Sequence, residues 1–126
     1  MRRLWSAGVI TVLLLAFCFV SVTAVTRQEA EIVDMLNLAY DAAQQDDFER
    51  AYELAVRIEK AWIEAEERLH MFVSHLELTD IGLAISTLPP LIRNEDKAAF
   101  SAQVRYSIVR VTHMGNSERL AWRNIF

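Results

Sequence analysis

Three histidines are the first places to look for chemistry, because an imidazole can ligate a metal or carry a proton. Glu67-Arg68-Leu69-His70 has the Glu-x-x-His spacing of helical di-metal carboxylate sites. Those sites need a second such pair and two further glutamates. Neither His75 nor His113 has a Glu three residues before it. A metal-dependent enzyme using Glu67 and His70 is therefore the outlying reading. Otherwise His70 reads as a partly exposed side chain near carboxylates. His75 reads as a helix-junction residue, and His113 as lying near the end of the last helix, where positive charge is favoured.

Other reactive constellations are missing from the chain. There is no Gly-x-Ser-x-Gly elbow and no phosphate-cradling glycine loop. Glu64, Glu66 and Glu67 fit a solvated helix face as well as they fit a carboxylate pair. The single Cys18 lies in an apolar run, which allows no intrachain disulfide and suits no nucleophile. Phe17 before it lacks the small size that lipid attachment needs. A net charge of -4 argues against nucleic acid, which needs a clustered basic surface. The expectation is a non-enzymatic protein with no cofactor.

The 126 residues contain 53% apolar side chains and only 3 Gly and 2 Pro, too little turn chemistry for an all-β sandwich or barrel, and the spacing below makes all-α the expected class. Leu4 to Val25 is uncharged, and at ~1.5 Å per residue it spans ~33 Å, enough for a bilayer core of ~30 Å. Leu4, Trp5, Val9, Ile10, Leu13, Leu14, Phe17 and Val20 are the expected anchor, with Trp5 as an interfacial aromatic. Arg2 and Arg3 precede the run, and Glu29, Glu31 and Asp34 follow it. The positive-inside rule then leaves the N-terminus in the cytoplasm and the remainder outside. The alternative is a secreted helical binding module, released by cleavage near Ala24. Signal-peptide apolar regions usually run ~7–15 residues, and this one is longer, which favours an uncleaved anchor. The organisation is thus a cytoplasmic stub and transmembrane anchor over 1–26 and an extracytoplasmic bundle over 27–126.

Ile32, Met35, Leu36, Ala39, Ala42 and Ala43 recur at helical steps, and nothing near Val25 stops the membrane helix from continuing into them. Gln44-Gln45-Asp46-Asp47 reads as a helix–helix turn with Asp47 as N-cap. Phe48, Ala51, Ala55, Ile58, Trp62, Ala65, Leu69, Phe72 and Leu76 then follow alternating three- and four-residue steps. That is a heptad seam, which requires partner helices in the same chain or in a homodimer. Ser74 and Glu77 have capping-box spacing, so a break is expected near Ser74. Leu78, Ile81, Ile85, Leu88 and Ile92 continue the pattern, with a kink or stop at Pro89-Pro90. Arg93 to Asp96 is the next turn. Lys97 to Met114 is the last helix, with Phe100, Val104, Ile108 and Val111 on one face and Gly115-Asn116 as its stop.

Two turns 49 residues apart, Gln45-Asp46-Asp47-Phe48 and Asn94-Glu95-Asp96-Lys97, close two tetratricopeptide-like hairpins. Two hairpins are too few for a solenoid, so an up-down antiparallel bundle of about four helices is expected. Residues 27–92 carry 14 acids and 5 bases, whereas residues 93–126 carry 3 acids and 6 bases. Opposite charge on the two halves favours pairing at helix rims. The tail, with Trp122, Arg123 and Phe126, either lies at the membrane interface or docks on the open end of the bundle.

Several of these stretches resemble a known family. Glu59-Lys60-Ala61-Trp62, His75-Leu76-Glu77-Leu78 with Ile81, Asn94-Glu95-Asp96-Lys97 and the Asn124-Ile125-Phe126 ending, behind an N-terminal span, are similar to the bacterial domain-of-unknown-function family numbered four-three-six-three, from spore-forming Gram-positive lineages. The Pro89-Pro90 pair departs from that family's uninterrupted helix. The resemblance implies a small, single-span, all-helical protein and a link to sporulation or to an envelope membrane protein. It brings no catalytic residues. The expected partners are the lipid bilayer and a membrane or envelope protein.

Overall fold

The computed structural model describes the backbone of residues 1–125 and the side chains of residues 1–117 and Arg123. Among the described residues five helices run in order: α1 (Arg2–Gln44), α2 (Phe48–Leu69), α3 (His75–Ser86), α4 (Leu88–Arg93) and α5 (Lys97–Ile125). Helices α3 and α4 together form one broken arm. Four arms therefore pack as an up-down bundle in which α1 adjoins α2 and α5, and the α3–α4 arm adjoins the same two. The all-helical bundle behind an N-terminal apolar helix is the architecture the spacing predicts.

Helix α1 is 43 residues long and unbroken. Its first half is apolar and exposed, and its second half is a bundle arm that buries Ile32, Leu36, Ala39, Ala42 and Ala43. It is long and apolar enough to cross a membrane: its most apolar window has a mean hydropathy of 2.6, with only 11% buried. Packing starts before residue 27. Ser21 and Val25 are already buried, and the Phe17 ring meets Phe72 at 5.8 Å between centroids. The helix carries the core's apolar stripe straight across the expected boundary, because no residue there breaks it.

The two turns with matching sequence have the same backbone. Asp46 and Glu95 both take left-handed φ, 59° and 55°. Each follows a helix closed by the same pair of bonds. Asp46 N–H donates to the Ala43 carbonyl and Asp47 N–H to that of Ala42, while Glu95 and Asp96 donate to Ile92 and Leu91. This is the Schellman closure, here built without glycine. The next residue caps the following helix in both cases. Asp47 accepts from Arg50 N–H at 3.3 Å, and Asp96 accepts from Ala99 N–H at 3.2 Å. Lys97 clamps the turns together, reaching the Gln44 carbonyl at 3.4 Å and Asp46 Oδ1 at 3.1 Å.

Pro89 and Pro90 lie in the first turn of α4, where backbone N–H groups have no helical partner to lose. The arm therefore breaks at Thr87 and restarts, and Leu78, Ile81, Ile85, Leu88 and Ile92 all stay buried across the break.

Two expectations need correction. Leu76 does not belong to the seam: it is 82% exposed. Helix α2 ends at Leu69, and Ser74 accepts from Glu77 N–H to start α3. The break resets the helical phase, so Leu78 becomes the buried position instead. Gly115-Asn116 does not stop the last helix, which runs on to Ile125. Gly115 is buried with ordinary backbone, and an added Cβ there would meet the Glu29 carboxylate. This glycine makes room for α1 and does not turn the chain. His113 consequently lies inside α5, away from any helix end.

Candidate functional site

The seam is consumed within the chain. Ala51, Ala55, Ile58, Trp62, Ala65 and Leu69 are buried, with Phe48 and Phe72 half-buried at its ends. Leu54 is also buried, a position the strict heptad passes over. The opposite-charge halves meet at several rims. Arg110 bonds Asp80 at 2.7 Å, and Lys97 pairs with Asp46. Arg93 lies over the Tyr52 ring at 5.5 Å, and Arg105 over Tyr40 at 5.6 Å. These contacts are partly exposed, so each contributes about 0–1 kcal/mol and chiefly fixes register.

All three histidines collect at the end of the bundle where α2 turns into α3. His70 and His75 stack nearly parallel, with ring centroids 5.4 Å apart. His70 therefore faces a second imidazole, with no second Glu-x-x-His pair opposite it. Among the described residues, no group of three or more His, Cys, Asp or Glu side chains is arranged to hold a metal ion. His113 Nδ1 lies 3.5 Å from Glu77 Oε1 and 3.5 Å from Ser117 Oγ. Serine, histidine and glutamate are thus neighbours, a grouping that spacing alone did not suggest. Both contacts fall on the same ring nitrogen. A relay needs the acid on one nitrogen and the hydroxyl on the other, so this geometry does not pass a proton from Ser117 to Glu77.

A second surface lies along α2 and α3. Glu59, Trp62, Ile63, Glu66, Gly82 and Leu83 line a shallow groove. Trp62 is 2% exposed, and its indole Nε1–H has no acceptor. Gly82 lets the indole lie close to α3: a Cβ there would stand 3.1 Å from Nε1. Ile63 and Leu83 are exposed apolar side chains beside it. Sequence periodicity placed Trp62 in the core but gave no sign of its unmatched donor.

The anchor residues Leu4, Trp5, Val9, Ile10, Leu13, Leu14, Phe17 and Val20 are all exposed along α1. Of the tail, Arg123 is exposed, while Trp122 and Phe126 lie outside the described residues.

Residues 19–125 match the family described as domain of unknown function (DUF4363). The chain belongs to that family. The match spans the whole bundle and starts inside the apolar half of α1, before the boundary expected at residue 27. No curated protein and no solved structure matches the chain at a significant level. The family carries no activity to transfer, so function rests on the surfaces just described.

Proposed function

We propose that this DUF4363 protein is a single-pass, membrane-anchored, non-enzymatic helical module that holds a protein-binding face outside the cytoplasm. The observation that carries this reading is the continuity of α1. One rigid helix supplies both the exposed apolar length and the buried arm formed by Val25, Ile32 and Leu36. A joint of that kind fixes the bundle relative to the apolar half of α1, which a flexible linker does not. Arg2 and Arg3 before the apolar run, against Glu29, Glu31 and Asp34 after it, support a cytoplasmic N-terminus. The bound protein is an envelope or membrane component, in keeping with the sporulation link that the family resemblance implies.

The α2–α3 groove is the face best suited to a partner. It offers the exposed apolar side chains of Ile63 and Leu83 and an acidic rim from Glu59 and Glu66, over the buried Trp62. A basic, apolar-faced segment complements it.

Release by cleavage near Ala24 has less support. Such a cut separates Phe17 from Phe72 and removes Ser21 from its buried place. The test is the mass of the mature N-terminus, together with labelling of Ala98→Cys in a Cys18→Ala background by an impermeant maleimide on intact cells. The reading expects an uncut N-terminus and labelling from outside. A chain that begins near Val25, or a label that enters only after lysis, overturns it.

A further inference from the structure

The apolar length of α1 ahead of the bundle is shorter than a bilayer. From Arg3 to Phe17 the helix rises ~21 Å, whereas the hydrocarbon core is ~30 Å thick. With Arg3 at the inner boundary, the outer boundary falls near Thr23. Phe17 then lies below it, and its ring meets that of Phe72. The turn between α2 and α3 is thus carried to the depth of the outer leaflet's boundary.

The composition of that turn suits this depth. Leu69 to Leu76 contains no Asp, Glu, Lys or Arg, although the chain around it is acidic. Met71 is 77% exposed, Leu76 is 82% exposed and Phe72 is half-buried. The turns at the opposite end are Gln45-Asp46-Asp47 and Asn94-Glu95-Asp96, both polar and charged. Part of the turn's backbone is satisfied from within. His70 N–H donates to the Glu66 carbonyl, and Phe72 and Val73 N–H donate to that of Leu69.

We propose that residues 70–76 form a second membrane contact, in which Met71, Phe72 and Leu76 enter the headgroup–acyl boundary of the leaflet from which α1 emerges. The occupant of this surface is lipid, and the proposal rests on α1 being a span. Two contacts, one spanning and one interfacial, fix both tilt and rotation of the bundle about α1. A single helix leaves the rotation free.

The test uses the full chain with Cys18→Ala, reconstituted in phosphatidylcholine vesicles. Met71→Cys, Leu76→Cys, Leu13→Cys and Ala98→Cys each carry an environment-sensitive fluorophore. Doxyl quenchers are placed high or low on the lipid acyl chains. The expected result is several-fold stronger quenching at 71 and 76 than at 98, greatest with the high doxyl group, while 13 responds to the low one. Quenching at 13 with none at 71 or 76 overturns the turn contact and leaves the span standing. No quenching at 13 overturns the span itself. Protection of 71 and 76 from aqueous iodide without lipid quenching means that protein covers the turn, and it also overturns the proposal.

Discussion

Gly82→Ala tests how closely Trp62 lies on α3. In an open helix interior this change gains about 1 kcal/mol, because alanine has the higher helix propensity. At Gly82 the new methyl stands 3.1 Å from Trp62 Nε1 and 3.6 Å from Cδ1. The indole is 2% exposed and enclosed by its neighbours, so it has little room to yield. Overpacking of this kind costs about 1–3 kcal/mol. The two effects combine to a net loss of about 0–2 kcal/mol, or up to several degrees in Tm for a bundle of this size. Trp62→Phe removes the Nε1 edge, so in that background Gly82→Ala reverts to a gain of about 1 kcal/mol. The coupling between the sites is then about 1–3 kcal/mol. Urea unfolding of the full chain in detergent micelles, followed by helical circular dichroism, measures all four variants without relying on tryptophan fluorescence. Stabilisation by Gly82→Ala of the same size in both backgrounds would refute the close approach of Trp62 to α3.

Leu78→Ala should destabilise by about 2–5 kcal/mol, whereas Leu76→Ala should stay within about 0.5 kcal/mol in micelle unfolding. Equal losses would restore Leu76 to the seam. Ser74→Ala removes the cap of α3 and should cost about 1 kcal/mol, with Ser74→Asp retaining most of it. Glu95→Gly should stabilise by up to about 1 kcal/mol, since Glu95 holds a left-handed φ that glycine adopts freely. Asp46→Gly should gain less because it loses the Lys97 contact, and a larger gain there would count against the clamp. Asp80→Asn should cost no more than about 1 kcal/mol, as its ion pair with Arg110 is partly exposed.

Periodicity made most of this fold legible. Three- and four-residue steps located the helices, because burying one face of a helix demands that spacing. Capping residues located the turn at Asp47 and the break at Ser74, because a helix end must satisfy its own N–H and carbonyl groups. The same rules failed where a residue's role depends on a distant neighbour. Gly115 has the composition of a stop, yet Glu29 from another helix explains it. Leu76 fits the heptad by count, yet the end of α2 at Leu69 had already changed the phase. The neighbouring of Glu77, His113 and Ser117, and the unmatched Trp62 donor, arise from helices far apart in the chain. No local spacing encodes them.

Sequence alone determined that this chain is helical, that its first part is long and apolar enough to span a bilayer, and that its turns pair two hairpins. Those properties follow from local propensity, capping and the length of an apolar run. Tertiary structure decided which partner the seam takes, since a heptad stripe is satisfied equally by its own chain or by a second copy. Here α1 and the α3–α4 arm come near enough to bury it. The same packing brings Phe17 of α1 against Phe72, a contact that no local spacing encodes because it depends on where two separate helices meet.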